Sequence, residues 1–165
     1  MTESGGFSAA DRGWMERAME LARRAEAEGE VPVGAVVANE AGLLGEGWNR
    51  NISLSDPSAH AEILALRDAG RRLNNYRLPD CVLYVTLEPC AMCVSAAIHA
   101  RLDRLVFGAS DPKTGALGGA YCLPDIHAHN HRMTWQGGLL ADRAAHLLRA
   151  FFQAKRGRSG GEPVP

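Results

Sequence analysis

The sequence predicts an α/β protein, a three-layer α/β/α sandwich built around a mixed five-stranded sheet. The chain has 165 residues, of which 46% are hydrophobic and 22% charged, and this suits one folded domain with its own apolar core. Apolar segments of strand length alternate with segments of helical periodicity, a pattern that typically places helices on both faces of a sheet. We therefore interpret residues 1–165 as a single domain with flexible tails at 1–7 and 157–165.

The first predicted helix covers residues 8–28. Ser8 followed three residues later by Asp11 matches the capping-box pattern of a helix start. Apolar side chains then recur at helical spacing with arginines on the other faces, and Gly29 is suited to end the helix. The pattern indicates an amphipathic helix that covers one face of the sheet.

The next segments predict a hairpin and a second helix. Residues 33–38 and 43–49 are short apolar runs on either side of the turn-prone segment 39–42, which is typical of an antiparallel hairpin. Residues 49–58 are polar and indicate a loop. From Ala59 to Gly70 the apolar side chains return at helical spacing.

The middle of the chain predicts a strand–helix–strand unit. Residues 82–86 and 104–108 are apolar runs of strand length, and residues 90–100 between them have helical character, with Pro89 placed just ahead of the helix start. Such a unit is compact, parallel and right-handed. Together with the antiparallel hairpin it makes the predicted sheet a mixed one.

The last third begins with a long loop. Residues 111–132 are rich in Gly, Pro and His and show no periodicity, and loops of this length are uncommon in small domains unless they have a function. A short strand at 133–136 and a helix at 139–155 follow.

Charge and composition exclude several classes of protein. The chain has 18 Lys+Arg and 19 Asp+Glu, a net charge of −1, so no global positive field attracts nucleic acid. Four cysteines in a chain of this size argue against a disulfide scaffold and suggest a metal or catalytic role for some of them. The first residues lack a basic stretch followed by an apolar run, and no segment approaches the ~18 apolar residues that a membrane helix needs. We expect a cytoplasmic protein.

Two short motifs predict a zinc site. Cys90 and Cys93 lie three residues apart at a predicted helix start, so they face one way, and the helix N-terminus favours the thiolate form that binds zinc. His60, at the start of the preceding helix, adds a third ligand. Three protein ligands leave a fourth tetrahedral position for water, which distinguishes a catalytic zinc from a structural one.

Glu62 is the candidate catalytic residue. It follows His60 by two residues and could not be a fourth ligand without closing the site. A carboxylate beside a zinc-activated water is placed to take a proton and pass it to a leaving group. The motifs therefore indicate hydrolytic attack on an electron-poor carbon with an amine as the leaving group.

The cysteines and histidines allow other interpretations. A Cys-x-x-Cys pair at a helix start could be a redox motif, although such a motif has no use for an upstream His-x-Glu. A structural zinc would need a further ligand at short spacing, and Cys81 and Cys122 are better interpreted as a buried thiol and a loop thiol. His127, His129 and His131 alternate, but we interpret them as loop residues and not as a second metal site.

His-x-Glu followed by Pro-Cys-x-x-Cys is the signature of zinc deaminases that act on nucleobases. The sequence resembles the cytidine deaminase-like superfamily, and within it the bacterial tRNA-specific adenosine deaminases, from about Trp14 to Phe152. The zinc motifs are shared across the superfamily. The resemblance to the tRNA branch lies in Gly-Trp-Asn-Arg at 47–50, Asp-Pro-Lys-Thr-Gly at 111–115 and the two phenylalanines at 151–152.

This resemblance implies conversion of adenosine to inosine at the wobble position of a tRNA anticodon, by a homodimer with one zinc per subunit. By matching position, His60, Cys90 and Cys93 would bind the zinc and Glu62 would be the proton shuttle. The residues that would contact the nucleoside or the anticodon stem-loop are Asn49, Ala61 through its backbone N–H, Asp111, Lys113, Arg149, Phe152 and Arg156.

The C-terminal helix carries a local excess of positive charge. Five basic residues and no acidic one lie between Arg143 and Gly161, with Phe151 and Phe152 among them. Such a helix end suits phosphate contacts and base stacking on single-stranded RNA. The alternative is a solvated helix face whose aromatic side chains pack in the core, and we expect at least one of the two to be buried.

Two alternatives to a tRNA deaminase stay open at this point. One is a deaminase of a free nucleobase or nucleoside such as guanine or cytosine, which needs a closed pocket and no basic path for RNA. The other is an RNA-binding subunit that keeps zinc for folding only. Glu62 argues against the second, because a structural zinc site has no need of a proton shuttle.

Overall fold

The computed structural model describes residues 6–159. Within them the backbone forms four α-helices, five strands and one short 3₁₀ helix. In chain order these are α1 (Ala9–Ala27), β1 (Gly34–Asn39), β2 (Gly42–Trp48), α2 (Ala61–Leu73), β3 (Val82–Leu87), α3 (Ala91–His99), β4 (Arg104–Ala109), the 3₁₀ helix (Leu123–Asp125), β5 (Thr134–Gly137) and α4 (Ala141–Ser159).

The five strands form one mixed sheet in the order β2-β1-β3-β4-β5. β1 pairs antiparallel with both β2 and β3, whereas β3–β4 and β4–β5 are parallel. The antiparallel hairpin and the parallel strand–helix–strand unit thus share one sheet, as the sequence predicts. The mixed five-stranded α/β fold is confirmed.

Helices cover both faces of the sheet because side chains alternate along its strands. Val36, Tyr84 and Val106 face one side and pack with α1. Val37 and Leu83 face the other and pack with α2 and α3. α4 joins α1 on its face, where buried side chains of the two helices share a small apolar cluster. These contacts give the three predicted layers.

α2 lies unusually close to β2, and glycines make this possible. A Cβ atom at Gly45 would overlap the backbone of α2 at Ala65, and one at Gly47 would overlap it at Ala61. The two positions therefore require glycine for a steric reason. The close contact holds the first turn of α2, which carries His60 and Glu62, against the end of β2.

The last helix is longer than predicted. The sequence suggests an end near Lys155 and a tail from Gly157, but α4 continues to Ser159. A single glycine in a helix costs only about 1 kcal/mol relative to alanine, which is too little to end a helix by itself. The rest of the two predicted tails, residues 1–5 and 160–165, lies outside the described residues.

A buried ion pair fixes the start of α1 to the sheet. The Asp11 carboxylate accepts hydrogen bonds from both terminal nitrogens of Arg104 at 2.9 and 3.1 Å, from the Tyr84 hydroxyl at 2.8 Å and from the Ser8 N–H at 3.0 Å. The Ser8 hydroxyl in turn accepts from the Asp11 N–H, which completes the predicted capping box. Burial alone would raise the pKa of Asp11, but these donors lower it to about 2.

This pair predicts an acid-sensitive contribution to stability. The folded pKa of Asp11 lies below its ordinary value of 3.8, so the contribution is present above about pH 4 and is lost as the pH falls towards 2. The shift corresponds to about 2 kcal/mol in the free energy of unfolding. Urea unfolding of the wild type and of Asp11→Asn should show a difference at pH 7 that shrinks by this amount at low pH. A difference independent of pH would contradict the assignment.

Candidate active site

The first turns of α2 and α3 meet on one face of the sheet and bring the two motifs together. His60 is the N-cap residue of α2, and Cys90 is the N-cap residue of α3. β3 positions Cys90, because the strand ends at Leu87 and only Glu88 and Pro89 separate it from Cys90 at the start of α3. Both helix starts present backbone N–H groups and the positive end of a helix dipole to the same place.

His60, Cys90 and Cys93 are placed to bind one metal ion. Their ligand atoms all lie within 4.8 Å of one another, and they form the one such metal-ligand cluster found in residues 6–159. His60 Nδ1 is 3.7 Å from Cys90 Sγ and 3.5 Å from Cys93 Sγ. A tetrahedral zinc with ordinary Zn–N and Zn–S bonds separates such atoms by about 3.6 Å. The donor set and its spacing therefore fit zinc.

Of the two thiols, Cys90 has the surroundings that favour the thiolate form, which is the form that binds a metal. Hydrogen bonds from Cys93, and then from His60, lower the pKa of Cys90 to about 4. The same hydrogen bond to Cys90, together with burial, raises the pKa of Cys93, and the Cys90 thiolate raises that of His60. Without metal the three side chains share protons, and the proton on Cys93 must leave when the site binds zinc.

Glu62 lies in the first turn of α2, beside the cluster. Its side chain is buried, and burial raises the pKa of the carboxyl group. A buried carboxylate with a raised pKa can accept a proton and release it again during a reaction near neutral pH. It also lines the same cavity as His60 and Cys90, and its role as the proton shuttle stays a prediction.

Asn49 reaches the start of α2 from the end of β2. Its Oδ1 accepts a 2.8 Å hydrogen bond from the Ala61 N–H, and both residues are buried. The Ala61 N–H, which the resemblance assigns to base binding, thus has a partner within the chain in this structure, and its role towards a base stays a prediction. Since the bond uses the oxygen of Asn49, the amide NH₂ group is what this side chain offers to a nucleobase.

A cavity of about 90 Å³ lies beside the site, and its lining includes Asn49, His60, Glu62 and Cys90. Asp111 and Thr114 of the long loop form part of its wall, opposite the helix starts. The Asp111 carboxylate accepts from the N–H groups of Lys113 and Thr114 and from the Thr114 hydroxyl, so it stabilises the turn. The lining residues are Val31, Val33, Asn49, His60, Glu62, Leu87, Glu88, Cys90, Asp111 and Thr114.

The predicted RNA-contacting residues of α4 lie apart from this cavity lining. Arg149 and Arg156 are exposed, as is Lys113 on the long loop. Phe152 is 42% exposed and meets the half-buried Phe151 edge to face, with ring centres 5.3 Å apart. Neither ring is fully buried, so the expectation of a buried phenylalanine is wrong. An exposed ring among basic side chains is available for stacking.

The remaining cysteines and histidines behave largely as predicted. Cys81 is fully buried and Cys122 is half-buried in the long loop, and both are free thiols. Nε2 of His131 lies 2.6 Å from the backbone oxygen of Leu102. One buried acidic residue of the site, Glu88, was missed. A glutamate directly before Pro-Cys was the available signal, but nothing in its spacing reveals what it contacts.

Comparison with known proteins agrees with this geometry. Residues 8–109 match the family model described as the cytidine and deoxycytidylate deaminase zinc-binding region. The chain is 51% identical to the tRNA-specific adenosine deaminase of Haemophilus influenzae over 147 residues, which is 88% of this chain and 85% of the relative. The chain belongs to the tRNA-specific adenosine deaminase family. As a member of this family of zinc-binding deaminases it is a zinc-dependent enzyme, and His60, Cys90 and Cys93 are positioned to bind the metal.

Solved structures show the same fold. A chain from a study of A-to-I editing by tRNA:A34 deaminases at the wobble position of transfer RNA is 40% identical to this one. It superposes with a TM-score of 0.80 and covers 82% of this chain and 99% of its own. A guanine deaminase from Nitrosomonas europaea is 29% identical, with a TM-score of 0.73 over 88% of this chain and 86% of its own. This tRNA deaminase-family chain therefore shares its fold with enzymes that act on different bases.

Proposed function

We propose that the chain converts adenosine to inosine at the wobble position of a tRNA anticodon by zinc-dependent hydrolysis. The observation that carries the proposal is the 51% identity with a tRNA-specific adenosine deaminase over 88% of the chain. The geometry supports it, because two of the proposed zinc ligands, His60 and Cys90, line one cavity with the buried Glu62 carboxylate and the Asn49 amide. His60, Cys90 and Cys93 would hold a zinc ion there, and the bound metal would supply the activation of water near neutral pH.

Glu62 and Asn49 have different roles in the reaction. Water adds to C6 of adenine, the C6–N bond breaks and ammonia leaves. Glu62 takes a proton from the attacking water and delivers it to the departing amine, for which its burial and raised pKa suit it. Asn49 donates from its amide NH₂ group to an acceptor on the base and holds the ring in place. Both residues are fixed by α2, whose first turn lies against β2.

The size of the cavity suggests how RNA presents the base. A space of about 90 Å³ is far too small for a folded RNA helix to enter. The target base must therefore leave its stack, which costs little in an anticodon loop because the base is already unpaired. Asp111 at the cavity wall and Lys113 beside it are placed to contact the neighbouring nucleotides.

The basic residues in the C-terminal half of α4 support a second set of RNA contacts. Arg149 and Arg156 can bind phosphates, and Phe152 can stack on an unpaired base. The whole chain has a net charge of −1, so the attraction for RNA is local. This arrangement favours one short RNA segment over extended non-specific binding. A tRNA substrate also places the enzyme in the cytoplasm.

A deaminase of free guanine is the second candidate, since a guanine deaminase shares the fold at 29% identity. We expect the purified zinc enzyme to form inosine in an anticodon stem-loop with adenosine at the wobble position, and to leave free guanine and cytosine unchanged. The KM for the stem-loop should rise steeply between low and moderate salt, because phosphate contacts weaken as salt increases. Turnover of guanine without any inosine in the RNA would reject the proposal in favour of the alternative.

We further propose that the enzyme is a homodimer that pairs through α2 and α3. These helices border an open groove of about 900 Å³, much larger than the active-site cavity, and its lining includes Ile63, Leu66 and Ala96. Tyr76, at the same groove, is 73% exposed. The rest of the lining includes the polar and charged residues Arg67, Arg71, Asn74, Asn75 and His99. A groove that combines apolar side chains, an exposed aromatic ring and a polar border suits a self-complementary contact with a second copy.

Light scattering tests the dimer. We expect a molar mass of two chains for the wild type and of one chain for Leu66→Arg, because an arginine in the groove separates the apolar surfaces. Leu73→Arg is the matched control, since Leu73 lies on the same helix, is exposed and does not line the groove. A monomeric wild type, or a dimer that Leu66→Arg leaves intact, would contradict this interface.

No helix in residues 6–159 combines the length and apolar character needed to cross a membrane.

A further inference from the structure

Glu88 is a buried carboxylate that organises the long loop beside the active site. It lies between β3 and Cys90 and is only 3% exposed. Oε1 accepts hydrogen bonds from the Ser110 hydroxyl and the Asp111 N–H, each at 3.0 Å. Oε2 accepts from the N–H groups of Leu117 at 3.0 Å and Gly119 at 2.9 Å. Four donors from both ends of one loop thus meet at a single side chain.

The loop is shaped to fit this carboxylate. A Cβ atom at Gly115 would overlap the carboxylate of Glu88 and the backbone oxygen of Asp111, and one at Gly119 would overlap the same two groups. The Ala116 N–H adds a 2.9 Å hydrogen bond to the backbone oxygen of Pro89. The loop therefore wraps closely around the short segment that leads into the zinc ligand Cys90.

This arrangement connects the metal site to the cavity wall. Both residues of the loop that line the cavity are held in this way. Asp111 is itself bound to Glu88, and Thr114 lies between Asp111 and the second point of attachment at Leu117. The Asp111 side chain holds the turn that contains Lys113 and Thr114. The position of this wall relative to the zinc ligands is consequently set by the Glu88 carboxylate.

We propose that Glu88 is a positioning residue that holds loop 110–119 in the shape that receives the RNA around the target base. This rests on the proposed function. Glu88 need not touch the reacting atoms, because all four of its hydrogen bonds are to the loop. Its loss should affect substrate binding much more than the chemical step or the binding of zinc.

Glu88→Gln is the sharpest test, because it keeps the shape of the side chain and replaces one acceptor oxygen with a donor NH₂ group. The amide oxygen can keep the Leu117 and Gly119 bonds, and the Ser110 hydroxyl can turn and accept from the NH₂ group. The Asp111 N–H then faces a donor and loses its partner. We expect KM for the anticodon stem-loop to rise about ten- to thirtyfold with kcat changed by less than about threefold, and amide exchange at Asp111 to quicken.

Asp11→Asn is the matched control, since it also replaces a buried carboxylate but lies on the α1 side of the sheet. It should lose stability without a change in KM.

If Glu88→Gln does not fold, Ser110→Ala takes its place, because Ser110 is exposed. We expect KM to rise about twofold to fourfold and Asp111 exchange to quicken. In whichever variant is assayed, unchanged KM and unchanged exchange would overturn the proposal. A wild type that forms no inosine would instead refute the proposed function.

Discussion

Glu62→Ala is expected to lower the rate of deamination by about 10²–10⁴-fold, the usual contribution of a general acid–base residue, while the protein stays folded and binds zinc. Glu62 does not belong to the cluster of metal ligands, so the His60, Cys90 and Cys93 set remains complete. Its side chain is fully within the protein and its pKa is raised by burial, so an alanine removes an unfavourably buried acid and should not destabilise the fold. The effect should therefore fall on turnover alone.

The measurement pairs single-turnover formation of inosine in the stem-loop with metal analysis of the same sample. Glu62→Gln is a useful second variant, because it keeps the volume and polarity of the side chain but cannot carry the proton. Both variants should show this lowered rate and be fully loaded with zinc. Turnover at the wild-type rate in either variant would remove Glu62 from the mechanism, and loss of zinc would show that it supports the metal instead.

Cys90→Ala is expected to lose both zinc and activity. Cys90 is the thiol with the lowered pKa, so it is a thiolate before metal arrives, and its removal leaves only His60 and Cys93 as ligands. Two protein ligands do not hold zinc in a site of this kind. We expect the zinc content to fall from stoichiometric to near zero and inosine formation to become undetectable.

Cys122→Ala is the matched control for this experiment. Cys122 is also a free thiol on the same chain, but it lies in the long loop and outside the metal-ligand cluster. This variant should keep stoichiometric zinc and wild-type turnover. Full zinc occupancy in Cys90→Ala, or loss of zinc in Cys122→Ala, would contradict the assignment of ligands.

The features that the sequence predicts best are those carried by local patterns. The apolar run at 82–86 becomes β3, and the residues that mark helix starts, Ser8, His60 and Cys90, are the N-cap residues of α1, α2 and α3. The zinc cluster follows from the same property, because each motif lies at a helix start whose geometry is fixed within a few residues. Local spacing was enough to predict that His60, Cys90 and Cys93 lie together in a position to bind a metal, and the role of Glu62 stays a prediction.

The features that the sequence does not predict depend on contacts between distant segments. The bond from the Ala61 N–H to Asn49 joins residues 12 apart, and Glu88 binds partners 22 to 31 residues further along the chain. The periodicity of a sequence does not indicate which buried side-chain acceptor binds which distant backbone N–H group. Any glutamate or asparagine in the chain could be that acceptor. The end of α4 differs from the prediction for another reason, because the energetic cost of the single glycine Gly157 is too small to end a helix.

The most direct test of the account is a zinc titration of inosine formation. The enzyme is stripped of metal with a chelator, zinc is returned in measured amounts, and inosine at the wobble position of the stem-loop is quantified by mass spectrometry at each step. We predict no inosine from the metal-free enzyme and a rate that increases in proportion to bound zinc until the site is full. Undiminished activity without zinc, or a zinc-loaded enzyme that leaves the wobble adenosine intact, would contradict the account.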